Sequence, residues 1–254
     1  MLRLSFLIAI LASSIGIFSG PTVHADEPAR AFLEALRENG YYDVAIEYLA
    51  DLEKSDLIND EFRSTLPFEK ADVLIASTKN LRDFTQIENR LDEAQKLLTE
   101  YASRNKSVEV NARTYRYQGN LLFQRSNIYL KQAESDRATE NEKTKLRKKS
   151  RGMLQNSLTS YEKAKDSLKR LLDPNSPDAI KLDADPRFAA ASKRKKKELQ
   201  ASFTQVRLRV PMVTEQLADT YPAGNPKAKK LLTDAAAAYK DLSLIHISEP
   251  TRPY

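Results

Sequence analysis

Apolar residues recur at steps of three and four along most of the chain, the period that lines side chains up on one face of an α-helix. Phe32, Leu33 and Leu36 mark a first helix, opened by Asp26-Glu27-Pro28 and closed by Asn39-Gly40. Ala45, Ile46, Leu49 and Leu52 mark a second, from Tyr42. Two short helices joined by a tight glycine turn fold back on each other as an antiparallel pair. A second pair is predicted over Thr65–Lys79, with Ala71, Leu74, Ile75 and Thr78 on one side and Pro67 in the first turn, and over Ile87–Ser103, with Leu91, Ala94, Leu97, Leu98 and Tyr101.

The third pair is longer. Val108–Ala138 carries Tyr115, Gly119, Leu122, Ser126, Tyr129 and Ala133, and Asn141–Leu172 carries Leu154, Leu158, Tyr161, Ala164, Leu168 and Leu172. At 1.5 Å per residue, helices near 30 residues long span about 45 Å. Asp173–Asp178 holds two prolines and breaks the rhythm, so residues 174–185 are expected to be a linker. A seventh helix is expected over Pro186–Thr220, on Leu199, Phe203, Val206, Val210, Val213 and Leu217, with a kink at Pro211. Asn225-Pro226 suits the cap and first residue of an eighth, whose inner face is Leu231, Leu232, Ala235 and Tyr239. No stretch alternates as a strand would. The predicted class is all-α: stacked antiparallel helical hairpins, an α-solenoid rather than one closed bundle.

Both ends depart from this pattern. Arg3, the apolar run Leu4–Phe18, the break Ser19-Gly20-Pro21 and small residues at Val23 and Ala25 form a secretory signal pattern, with cleavage expected between Ala25 and Asp26. That run is shorter than the roughly 20 residues a spanning helix needs, so the mature chain is expected to be secreted or periplasmic, with no membrane span. At the other end, Leu242–Arg252 reads LSLIHISEPTR, which resembles the translation of a transposase adapter used in sequencing libraries. Residues 242–254 are therefore expected to be an adapter-derived tail, and the native segment to be cut near Asp241 within its last helix. The folded part then divides into hairpin repeats over 26–173 and a further, truncated pair over 186–241.

Composition narrows the chemistry. The only two histidines are His24 and His246, one in each end, and the chain has no Cys and no Trp. Between Asp26 and Asp241, Ser-His-Asp and Cys-His nucleophile systems cannot be assembled, and structural zinc has no ligands. The glycines there, Gly40, Gly119, Gly152 and Gly224, lie too far apart for a phosphate-cradling loop. The acids are interspersed with Lys and Arg and suit solvated helix faces. No enzyme activity, cofactor or metal is expected. The formal charge is +6 overall, or +5 once Arg3, Arg252 and Glu249 are set aside with the ends.

Two segments carry a family resemblance. Asn39-Gly40-Tyr41-Tyr42-Asp43-Val44-Ala45-Ile46-Glu47-Tyr48-Leu49 resembles the turn and second helix of a tetratricopeptide repeat, with Gly40, Tyr42, Ala45 and Leu49 at the pattern positions. Arg90–Leu98 is similar to the same segment of another repeat, through Ala94 and Leu98, and Asp234–Tyr239 to a third. The family's first-helix Trp is absent, and Ala45 to Ala94 is 49 residues where the repeat is about 34. The chain also looks like the N-terminal part of large secreted bacterial proteins with divergent helical repeats. The resemblance implies a protein–protein interaction scaffold without catalysis, for a protein or peptide partner. A structural spacer or coiled-coil element of a cell-envelope assembly is the alternative, favoured by the long helices.

Two basic runs remain, Lys143–Arg151 and Lys193-Arg194-Lys195-Lys196-Lys197. Either could hold an anionic surface, but no aromatics are interleaved for stacking on single strands. No nucleic-acid partner is expected, and solvated helix faces are the simpler reading. Tyr115, Tyr129 and Tyr161 fall on apolar stripes; they suit core packing better than a peptide groove.

Overall fold

Side-chain caps set most of the helix boundaries. The structure is a computed structural model and describes residues 26–56, 58–183 and 189–248. Helix α1 (Asp26–Glu38) ends at Gly40, whose φ of +73° is the left-handed conformation glycine adopts without strain. Gly40 N–H donates to the Arg37 carbonyl and Tyr41 N–H to the Leu36 carbonyl, the paired bonds of a Schellman cap. The chain reverses there into α2 (Tyr42–Lys54).

Helix α3 (Asp60–Ser77) starts earlier than Thr65 because Asn59 Oδ1 accepts from Phe62 N–H at 2.7 Å. Pro67 therefore sits well inside the helix, not in its first turn. A 3₁₀ turn over Thr78–Asn80 leads to α4 (Phe84–Arg104), which Asp83 caps by accepting from Thr85 and Gln86. Ser107 caps α5 (Val108–Ala133), which stops short of Ala138. Thr139 and Glu142 then exchange side-chain bonds with each other's backbone N–H, a capping box that starts α6 (Glu140–Leu172).

The stretch read as a linker is partly helical. Pro177 opens α7 (Pro177–Asp183), where its missing N–H costs nothing, and Ala179 is buried. Helix α8 (Ala189–Asp219) runs on through Pro211. Helix α9 (Pro226–Ser248) continues beyond Asp241, since no Gly or Pro interrupts the sequence before Pro250. Among the described residues there is no strand, and no helix long and apolar enough to cross a membrane.

Helices pack mainly against their neighbours in chain order, and α3 also touches α5. Three apolar clusters result. The first joins α1, α2 and α3 through Leu33, Ala45, Leu49 and Phe62. The second joins α3, α4 and α5 through Phe68, Leu91, Leu98 and Leu121. The third joins α5, α6 and α8 through Leu154, Tyr161, Ala164, Val206 and Val213, with Leu231 of α9 at its edge. This last core runs across residues 174–185, so that segment does not divide the fold. Helices α3 and α5 each belong to two clusters and are apolar on two sides.

Candidate functional site

Helix α5 forms the floor of a groove walled by α1 and α3 on one side and α8 on the other. Its first part holds about 330 Å³ among Arg30, Glu69, Arg113 and Gln205. The second, sharing Arg37, Arg116 and Tyr117 with the first, holds about 820 Å³ and reaches Asn120, Tyr161 and Arg209. Charged and neutral polar side chains line it together with apolar ones such as Leu199, Val206 and Met212.

Several of these side chains cross between helices. Arg37 of α1 donates to Glu69 Oε2 at 2.5 Å and lies 3.7 Å from Asp72 Oδ2 on α3. Arg116 of α5 donates to Gln205 Oε1 at 3.0 Å and Ser202 Oγ at 3.3 Å on α8. Lys195 of α8 pairs with Glu109 of α5 at 2.6 Å. Further along, Gln216 of α8 donates to Asn127 Oδ1 of α5.

Desolvation shapes the titration of the wall. Burial raises the Asp72 carboxyl above its ordinary value, partly opposed by Arg37. Burial, reinforced by Asp72, pushes the Tyr117 hydroxyl up to about 12. Burial alone pushes Tyr161 up to about 12, against Arg209 and Arg116. Both phenols stay protonated at neutral pH and keep an O–H to donate.

Three polar atoms in residues of this groove, Arg37 Nε, Asn120 Oδ1 and Tyr161 Oη, are buried without a hydrogen-bond partner among the described residues. Buried polar groups are nearly always paired, and an unpaired one costs about 1–3 kcal/mol. The three residues line the second chamber from α1, α5 and α6. Among the described residues no group of His, Asp and Glu is placed to hold a metal ion.

The residues singled out in the sequence fall elsewhere. Ala25 lies outside the described residues, and Asp26 opens α1. Ala45, Leu49, Ala94 and Leu98 are all within 2% of full burial, in the first two clusters. Tyr42 is half-buried beside the first cluster, and Gly40 makes the turn. The Lys193–Lys197 run is not one basic patch. Lys195 is spent on Glu109, Lys196 is half-buried and engaged, and Lys193 and Lys197 are exposed. The side chain of Arg194 lies outside the described residues. In the other run, Lys149 stacks over Tyr129, and Arg151 stacks over Tyr221 while donating to Thr220.

Arg37, Asp72, Arg116, Asn120 and Gln205 went unnoticed in the sequence. A signal for them exists: Glu109, Arg113, Arg116 and Asn120 step by four, three and four, a polar stripe along one side of the helix. Comparison of the chain with family models, with curated proteins and with solved structures finds no match.

Proposed function

We propose that this chain is a helical-repeat scaffold of tetratricopeptide-like design that binds a segment of a protein partner along the α5 groove. On this reading the helical pairs form a solenoid, α1, α3, α5 and α8 line its inner face, and the chain works outside the cytoplasm after losing its leader. The observation that carries it is the groove itself, two adjoining chambers of about 330 and 820 Å³ floored by α5 and lined by polar and charged side chains of α1, α3 and α8. An extended partner backbone presents a donor and an acceptor at each residue, which matches such a wall better than a small apolar ligand does.

Selection from a random 12-residue peptide display library tests this. The intact chain is the bait, and Asn120→Trp, which fills the groove, is the counter-bait. Selected peptides should bind with saturation and lose at least tenfold affinity toward Asn120→Trp. A selection whose peptides bind both proteins equally, together with light scattering showing rods that self-associate, would remove the scaffold reading in favour of the spacer.

A further inference from the structure

A separate cleft has the Asn127–Gln216 bond in its lining. It is framed by the 3₁₀ turn after α3, the start of α4, the end of α5 and the first turns of α6. Two chambers of about 680 and 660 Å³ meet at Phe84 and Lys131. The floor is apolar. Ile87 and Ile128 are buried beneath it, Leu81 and Leu146 are half-buried, and the Phe84 ring is 42% exposed. An open aromatic ring beside an apolar floor supplies contact area to a surface that docks there.

The rim is cationic. Lys79, Arg82, Lys131, Arg137, Lys145 and Arg147 line the two chambers, and none has a salt-bridge partner among the described residues. Three acids share the lining. Glu142 is held ionised by Thr139 in the α6 cap and faces Lys145, so three carboxylates stand against six cations in the lining. Lys195, Lys149 and Arg151, by contrast, are each matched to a carboxylate or an aromatic face.

We propose that this end cleft is a second docking site, which takes an acidic segment of a protein partner anchored by apolar side chains over Phe84. The excess of cations over carboxylates along the rim attracts and orients a negatively charged segment. The apolar floor supplies the desolvated contact that holds it. A purely anionic polymer would use the rim and leave Phe84 and Leu146 uncovered, so the floor favours a protein segment. The site goes beyond the α5 groove and stands or falls separately from it.

Fluorescence anisotropy tests the proposal with the full chain and a labelled 14-residue peptide of alternating Glu-Glu and Leu-Phe pairs. The controls are the same peptide with Ser for Leu and Phe, the Lys-for-Glu version, and a heparin fragment. The acidic apolar peptide should bind with saturation and weaken as salt rises. Phe84→Ala should cost about fivefold, and Lys131→Glu with Arg147→Glu should cost tenfold or more. Melting curves that match the parent would exclude misfolding of these surface variants, and the groove variant Asn120→Trp should bind normally. No saturable binding would overturn the proposal. So would affinity indifferent to both variants, or heparin and the Ser-substituted peptide binding as well as the probe with Phe84→Ala silent, the behaviour of a polyanion patch.

Discussion

Gly119 and Gly152 sit in the facing helices α5 and α6, and replacing each by alanine should have opposite consequences. Alanine in a helix interior is normally better than glycine by about 1 kcal/mol, because glycine loses more backbone freedom on folding. At Gly152 an added Cβ meets nothing within 4 Å, so Gly152→Ala should stabilise by about that amount. At Gly119 the Cβ would stand 3.0 Å from three ring carbons of Tyr161. Carbon atoms prefer about 3.5–4.0 Å. The ring cannot easily retreat, because Tyr161 is 1% exposed and packed in the third core. The backbone is pinned as well, since Ser157 Oγ donates to the Gly119 carbonyl at 2.7 Å. Overpacking of this kind costs about 1–3 kcal/mol.

The helix-propensity gain is common to both variants and cancels in their difference. Gly119→Ala should therefore fall below Gly152→Ala by about 1–3 kcal/mol, and a gap of about 2 kcal/mol corresponds to about 4–8 °C in Tm for a chain of this size. Urea titration followed by circular dichroism measures it, with unchanged m-values confirming that both variants unfold from the same structure. Adding Tyr161→Leu should recover part of the Gly119→Ala loss, a coupling a double-mutant cycle isolates. Equal stabilisation by the two alanines would refute the close approach of α5 and α6.

Tyr161→Phe removes a buried hydroxyl that has no partner, so it should leave stability at pH 7 unchanged or raised, where deleting a paired hydroxyl costs about 1 kcal/mol. The same variant reports on alkaline behaviour. With its pKa raised from 10 to about 12, Tyr161 favours the folded state below pH 10, and that contribution is lost as pH rises toward 12. The loss should be about 2–3 kcal/mol, seen as a falling melting temperature with tyrosinate absorbance at 295 nm, and Tyr161→Phe should flatten that part of the curve. Asn59→Ala should cost about 1 kcal/mol, by denaturant titration, because Phe62 N–H loses its acceptor. Arg125→Ala should cost about 1–3 kcal/mol in the same assay, since this one guanidinium joins α5 to Glu88, Asp92 and Gln95 on α4.

The helices were legible in the sequence because their periodicity is strong, and the boundaries that slipped did so for local reasons. The start of α3 depended on Asn59, a cap residue placed before a run whose first apolar members are spaced irregularly. Helix α7 escaped because two prolines read as a break, although proline at a first helical position is a start signal. The second apolar side of α5 was missed. Tyr115, Gly119, Ser126 and Tyr129 announce one stripe, while Val110, Tyr117, Leu121 and Ile128 form another that packs toward α3 and α4. The two stripes overlap in sequence, and a single-face reading sees only one. The groove was illegible for a different reason. Its charged residues look individually like solvated surface, and only the meeting of α1, α3 and α5 brings Arg37, Asp72 and Arg116 into one groove.

Because α5 is shared by two clusters, it cannot melt on one side alone. Helices packed on one flank only fray first, and α1 and α9 are the terminal described helices, with one flank each. Amide protons along Leu121–Ser126 should then exchange last, at the free energy of global opening, while those of α1 exchange through local fraying. A partner held against α5 would rest on the most persistent part of the molecule, so occupancy would not have to wait on, or contribute to, the ordering of its own seat.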